Sequence, residues 1–130
     1  MIVLDACVLI AYAEPEDVFH RRATDLLLDL AEQQFSTSAL TMAEVLVGYR
    51  DARTVKVAFE GFQRLGVDVV DIPAAESMRL AELRQHTKLR MPDCCVLLAA
   101  LQQPASGICT FDERLADAAR RLNLLVYGVD

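Results

Sequence analysis

An α/β fold, with a mostly parallel sheet covered by helices on both faces, is what this sequence predicts, and three observations point to it. Short apolar stretches of β-forming character alternate with helical patterns along the chain. Gly and Pro residues fall between them as punctuation. No internal repeat, low-complexity tract or linker breaks the order. Strands that alternate with helices imply βαβ units, right-handed crossovers and parallel strands. At 130 residues the chain is expected to be one domain, residues 1–130, with enough length to bury a core.

The elements can be taken in order. Ile2–Leu4 is an apolar run followed by a carboxylate, and it reads as a buried first strand. Val18–Gln33 carries Phe19, Ala23, Leu26, Leu27 and Leu30, a stripe at helical spacing. Phe35–Thr37 is the second strand. Arg53–Leu65 repeats the helical stripe with Val55, Phe59, Phe62 and Leu65, and Gly66 marks its end. Val67–Ile72 is the third strand, at an edge, with Asp68 and Asp71 facing solvent. Pro73 and Pro92 stand where a first helical residue tolerates a missing N–H. Pro92–Gln102 is therefore a helix, Gly107 opens the strand Ile108–Cys109, and Leu124–Tyr127 is the last strand.

Composition removes several classes of function. The chain is 54% hydrophobic and 25% charged, which excludes disorder. No apolar run reaches the roughly 18 to 20 residues that a membrane span needs. Met1-Ile2-Val3-Leu4-Asp5 lacks a basic n-region, so a secretory signal is not expected and the chain should remain in the cytosol. Cys7, Cys94, Cys95 and Cys109 form no C-x-x-C spacing, and His20 and His86 lie far from them in sequence. Neither a disulfide framework nor a zinc site is expected. Net charge is −6, but eight of the 13 Lys and Arg lie between Arg50 and Arg90. If these share a face, RNA phosphates have a place to dock; solvated helix surface explains any one of them equally well.

Ligands of open parallel sheets bind beyond the carboxyl ends of the strands. Asp5 ends the first strand at that edge, and Asp112 follows the strand that ends near Thr110. Glu44 lies about one turn into the helix after Phe35–Thr37. The helix Pro92–Gln102 feeds the next parallel strand through a short loop, so its beginning, with Asp93, returns to the same edge. Asp112 equally suits a helix N-cap, and Asp93 a first-turn acid favoured by the helix dipole. Glu44 is harder to explain away, being the sole charge in Ala39–Gly48. A buried acid there, or at Asp5, needs a partner.

Two carboxylates about 4 Å apart repel by on the order of 4 kcal/mol at an effective dielectric near 20. Four ionised acids together therefore call for cations or protons. All-oxygen ligation selects hard cations, Mg²⁺ or Mn²⁺, whose natural chemistry with water is phosphodiester hydrolysis.

The motifs around these acids resemble those of PIN domains, in particular the VapC toxins of type II toxin–antitoxin modules. Asp5-Ala6-Cys7-Val8-Leu9-Ile10 is similar to the opening D-x-S/T-x-L-I, and Ala43-Glu44-Val45 to the second acidic motif. Leu89-Arg90-Met91-Pro92-Asp93, before an Ala-rich helix, is similar to the third, and Thr110-Phe111-Asp112 to the T-x-D of the fourth. The resemblance implies an α/β/α sandwich, Mg²⁺- or Mn²⁺-dependent endoribonuclease activity and a homodimer. It also implies a cognate antitoxin whose tail lies in a groove near the active site. Asp5, Glu44, Asp93 and Asp112 would be the metal-site acids, with Thr110 supporting them by hydrogen bonding. Cys7 departs from the pattern: a thiol stands where the family has a hydroxyl, and it is the weaker donor.

Two other readings compete. A PIN fold that has lost its chemistry would serve as a protein- or RNA-binding module, though a pure binder has no reason to keep four repelling acids. A phosphotransfer domain on a similar scaffold would want a second Asp at position 7 or an acidic pair near the first strand, and only Asp5 is there. Asp117, one turn beyond Asp112, is a further candidate for the site, with a surface acid as the default. Phe19, Phe59 and Phe62 read as core, with an interface role as the alternative.

Overall fold

A computed structural model describes residues 1–103 and 106–130. Five strands, β1 (Ile2–Leu4), β2 (Phe35–Ser38), β3 (Val67–Val70), β4 (Gly107–Cys109) and β5 (Leu125–Tyr127), form one parallel sheet in the order β3-β2-β1-β4-β5. The helices are α1 (Ala6–Ala13), α2 (His20–Asp29), α3 (Ala39–Leu46), α4 (Ala52–Leu65), α5 (Ser77–Thr87), α6 (Met91–Leu101) and α7 (Glu113–Arg121). From central β1 the chain winds outward through β2 and β3, then crosses back to β4 and β5. The strand order thus reverses beside β1, the place where such sheets open a crevice.

Alternation along β1 divides the core. Ile2 and Leu4 point into one apolar layer with Val8 and Leu9 of α1, Leu27 of α2, Met42 of α3 and Phe62 of α4. Val3 points into the other, with Leu83 of α5, Val96 and Leu97 of α6 and Leu115 of α7. The expected three layers are present.

Local chemistry sets the ends of the elements. Asp51 and Thr54 form a reciprocal capping box at the start of α4, and Gly66 ends that helix at φ +94°. The third strand stops at Val70 rather than Ile72, because its partner β2 ends where Ser38 pairs with Val70. The second helix is shorter than Val18–Gln33. The Asp17 carboxylate accepts the Phe19 N–H at 2.8 Å, a turn that delays the helix until His20. Pro73 precedes a single 3-10 turn, Ala74–Glu76, and Pro92 is the second rather than the first residue of α6. Helix α1 was not anticipated, because Ala6–Ala13 is apolar all round and shows no stripe. Asp68 and Asp71 are exposed, as expected, and Phe62 is core. Gly107 opens β4 where a Cβ would press on Leu125 and the Tyr127 ring at 3.0–3.1 Å.

Two glycines give a test of this packing with opposite signs. Gly128 sits at φ +104°, and a Cβ there would run into the Thr110 carbonyl, whereas a Cβ on Gly61 in α4 meets nothing within 4 Å. Gly128→Ala is expected to destabilise the fold by at least about 1–3 kcal/mol. Gly61→Ala should stabilise it by about 0.5–1 kcal/mol through helix propensity. Thermal melting checks both; equal shifts in one direction would refute the packing of the C-terminal segment on Thr110.

Candidate active site

At the carboxyl edge, three strands hand the chain almost directly to a helix, and a polar side chain caps each junction. Asp5 Oδ1 accepts the Ala6 N–H at 2.8 Å at the start of α1. Ser38 Oγ accepts the Thr41 N–H at 3.0 Å at the start of α3. Asp112 Oδ1 accepts the N–H groups of Arg114 and Leu115, at 2.8 and 3.3 Å, at the start of α7. Asp93 lies in the first turn of α6, behind Pro92.

Thr110 ties two of these ends together. Its buried hydroxyl donates to Asp5 Oδ2 at 2.7 Å and accepts the Asp112 N–H at 3.0 Å. The Cys7 thiol donates to the same Asp5 oxygen at 3.3 Å, while its sulfur accepts the Phe111 N–H at 3.5 Å. With both protons directed at Asp5, the 3.7 Å separation of Cys7 Sγ and Thr110 Oγ1 is a packing contact. A carboxylate has about four lone-pair positions. Three donors occupy three of them on Asp5, which leaves one, on Oδ1, for a further ligand.

Beyond these contacts the acids are coupled by mutual repulsion. Burial is the main reason that the Asp5 carboxyl titrates above its ordinary value, with the Asp112 charge adding to the effect and the hydrogen bonds from Thr110, Cys7 and Ala6 opposing it. Burial also raises Asp93, to about 6, helped by the charges of Asp5, Asp112 and Glu44 and opposed by Arg90. Glu44 is raised by desolvation and by Asp5, and again lowered by Arg90. Asp93 thus feels the charges of the other three acids, and Asp5 feels that of Asp112. No ion pair among the described residues involves any of them. Nor, among the described residues, do three His, Cys, Asp or Glu side chains converge as a ready-made cation cage. The donor set nonetheless fits a hard divalent cation: carboxylate oxygens only, one fixed in place with a lone pair to spare.

Other expectations resolve simply. Glu44 is solvent-exposed rather than buried, because α3 turns Thr41, Met42 and Val45 to the core. Asp117 points outward, its side chain 63% exposed, and pairs with Arg120 at 3.7 Å. The capping role of Asp112 and the first-turn position of Asp93 both hold. Arg90 was overlooked as part of the site; it stands within the third motif, and its charge reaches Glu44 and Asp93. Ser38 was overlooked as well, although a Ser between an apolar strand and an apolar helix is an N-cap signal.

A family model for the PIN domain matches residues 2–121. The chain belongs to the PIN domain family. Among solved structures, this PIN domain is similar to the Mycobacterium tuberculosis VapC20, described as a sarcin–ricin-loop-cleaving toxin, at 18% identity and TM-score 0.74, covering 91% of this chain and 95% of that one. It is also similar to a FitAcB structure from Neisseria gonorrhoeae, at 23% identity and TM-score 0.67, with 98% and 96% covered. A toxin–antitoxin complex from Klebsiella pneumoniae gives 22% identity and TM-score 0.68, with 100% and 96% covered. At these identities the likeness is one of fold. No match is found among curated proteins.

The raised acids make a stability prediction. The folded PIN domain holds a proton on Asp93 up to about pH 6, whereas the unfolded chain releases it near 3.8. Between those values the folded state binds more protons, so stability falls as pH rises through that window. Asp5 and Glu44, both raised, act in the same direction. In EDTA, melting temperature should therefore drop between pH 4 and pH 7, and Asp93→Asn should flatten the drop and melt higher at pH 7. A variant less stable than its parent at pH 7 would contradict the assignment.

Proposed function

We propose that this PIN domain is a Mg²⁺- or Mn²⁺-dependent endoribonuclease, the toxin of a toxin–antitoxin pair, working in the cytoplasm. The observation that carries the proposal is the acidic edge itself. Asp5 and Asp112 are joined through Thr110, Asp93 and Glu44 share their field, and no ion pair among the described residues neutralises them. The similar VapC20 is described as a cleaving toxin, and the Klebsiella structure as a toxin–antitoxin complex, which supports the cellular role. No helix among the described residues is long and apolar enough to cross a membrane.

Asp5, Glu44, Asp93 and Asp112 would hold the cation. When bound, it supplies the Lewis acidity that activates water and offsets charge on the phosphodiester. The chain's own residues prepare that step. Thr110 and Cys7 fix the Asp5 carboxylate and favour its charged form against burial. Asp93, raised to about 6, must give up its remaining proton when the site is loaded, so loading is linked to proton release. Arg90 moderates the negative field beside Glu44 and Asp93 and, being exposed, would be free to meet a phosphate. The Cys7 thiol, a weaker donor than a hydroxyl, holds Asp5 less firmly than Ser or Thr would.

An antitoxin tail fits a groove of about 350 Å³ that runs past Glu44 and is lined also by Ile10, Glu14, Val47 and Tyr49. Its apolar walls and two carboxylates suit a segment that mixes apolar and basic residues. Exposed Val47 and Met78, 83% and 77% accessible, are the kind of side chain that a homodimer or an antitoxin covers.

The rival reading, a PIN-fold binding module without chemistry, draws on the observation that no three ligating side chains converge among the described residues. Cleavage of a mixed RNA pool with Mg²⁺ or Mn²⁺ against EDTA separates the two. Metal-dependent cutting is expected, reduced at least about 100-fold in a folded Asp93→Asn variant. Undiminished cutting by that variant would remove Asp93 from the site, and a parent that binds no divalent cation would leave the binding module.

A further inference from the structure

Beside the acidic edge lies a stack of groups that the capping and charge arguments do not use. The Phe111 ring belongs to the residue between Thr110 and Asp112, so it is fixed to both through one peptide unit each. The Phe19 ring stacks on it, with centroids 5.0 Å apart and planes 22° from parallel. The Arg22 guanidinium lies over the Phe111 ring, 5.1 Å from its centroid, and is tethered by a hydrogen bond to the Gly128 carbonyl. Phe19 itself is held where α2 begins, its N–H bonded to the Asp17 carboxylate at 2.8 Å. One ring of the stack is therefore held by a cation–π contact as well as by its neighbour ring, and the other residue, Phe19, is 41% exposed.

Filling the core does not require this geometry. Phe111 packs against the first apolar layer, but Phe19 adds little burial there and leaves much of its ring in water. A near-parallel aromatic pair with a guanidinium over one ring and the other residue partly exposed matches what proteins offer an unstacked base. The neighbouring groove is a poor phosphate site: of its two arginines, Arg22 is engaged with the Phe111 ring and the Gly128 carbonyl and Arg21 is paired with Asp25 at 4.0 Å, while Asp29 and Asp130 add negative charge. What the surface has to give is a ring face rather than an anion site.

We propose that Phe19, supported by Phe111 and Arg22, is the platform on which one base of a single-stranded RNA substrate stacks, setting which phosphodiester lies over the acids. This rests on the nuclease reading of the acidic edge. Because Phe19 rests on Phe111, which is consecutive with Asp112, a base on the platform belongs to a nucleotide near the one being cut. Phe19 is thus a positioning residue, with a preference for an unpaired base and tolerance of its identity, since every base has a π-face.

The chain contains no Trp, so Phe19→Trp introduces a single fluorophore at the platform. In an Asp93→Asn background with Mg²⁺, titration with a ten-nucleotide oligoadenylate should quench that fluorescence saturably, and a ribose-phosphate chain of equal length without bases should not. In the parent background, Phe19→Leu keeps an apolar side chain against Phe111 but has no π-face. It should raise KM for single-stranded RNA about 5- to 100-fold at unchanged kcat, with Phe19→Tyr restoring it. Equal quenching by both chains, or none, overturns the platform, and so does an unchanged KM in an active Phe19→Leu enzyme, which leaves the nuclease reading intact. Should the parent cut no RNA, the nuclease reading falls, and the fluorescence comparison alone decides whether the ring takes a base. A response to apolar peptides but not to oligoadenylate would reassign the ring to a protein interface.

Discussion

One buried hydroxyl organises the functional edge of this protein. Thr110 Oγ1 has a single proton and gives it to Asp5 at the end of β1, while it receives the N–H of Asp112, which caps the helix following β4. Two neighbouring parallel strands are thereby locked where the strand order reverses, and the first and last acids of the motif series are fixed relative to each other. Gly128 lies directly against the Thr110 carbonyl, and Tyr127 pairs its own carbonyl with the Thr110 N–H at 3.0 Å. The C-terminal segment thus supports the hydroxyl from behind.

Two of the acids at this edge also have a structural role. Asp5 and Asp112 cap helices, a role that orients their carboxylates and uses part of their acceptor capacity. Helix N-termini also favour negative charge, which offsets some of the cost of placing like charges together. The offset is incomplete: Asp5, Glu44 and Asp93 all titrate above their ordinary values, with loss of solvation leading the causes and neighbouring acids adding to it. Without an ion pair among the described residues to neutralise them, such groups would favour a cation under the proposed reading, and oxygen donors would direct that preference toward Mg²⁺ or Mn²⁺.

Much of this was legible in the sequence. The strands were marked by short apolar runs, and Asp5 and Asp112 could be placed because strand ends define the edge. Asp93 could be placed because a short loop after α6 fixes the direction of that helix. What the sequence hid follows from patterns that are not periodic. Helix α1 is apolar on every side, so it shows no stripe, and the end of β3 depends on where its partner β2 stops. The exposure of Glu44 was misread because a lone charge among apolar residues marks either a buried acid or the solvent side of a short helix. Arg90 needed three dimensions, since only the folded chain brings its charge near Glu44.

The central claim, that these four carboxylates form one cation site, is tested most directly by anomalous diffraction from crystals soaked in Mn²⁺. The expected result is an anomalous peak among Asp5, Glu44, Asp93 and Asp112, with at least one Asp5 or Asp93 oxygen at about 2.0–2.3 Å. Saturating Mn²⁺ that leaves this edge without a peak, or that binds only elsewhere on the surface, would contradict it.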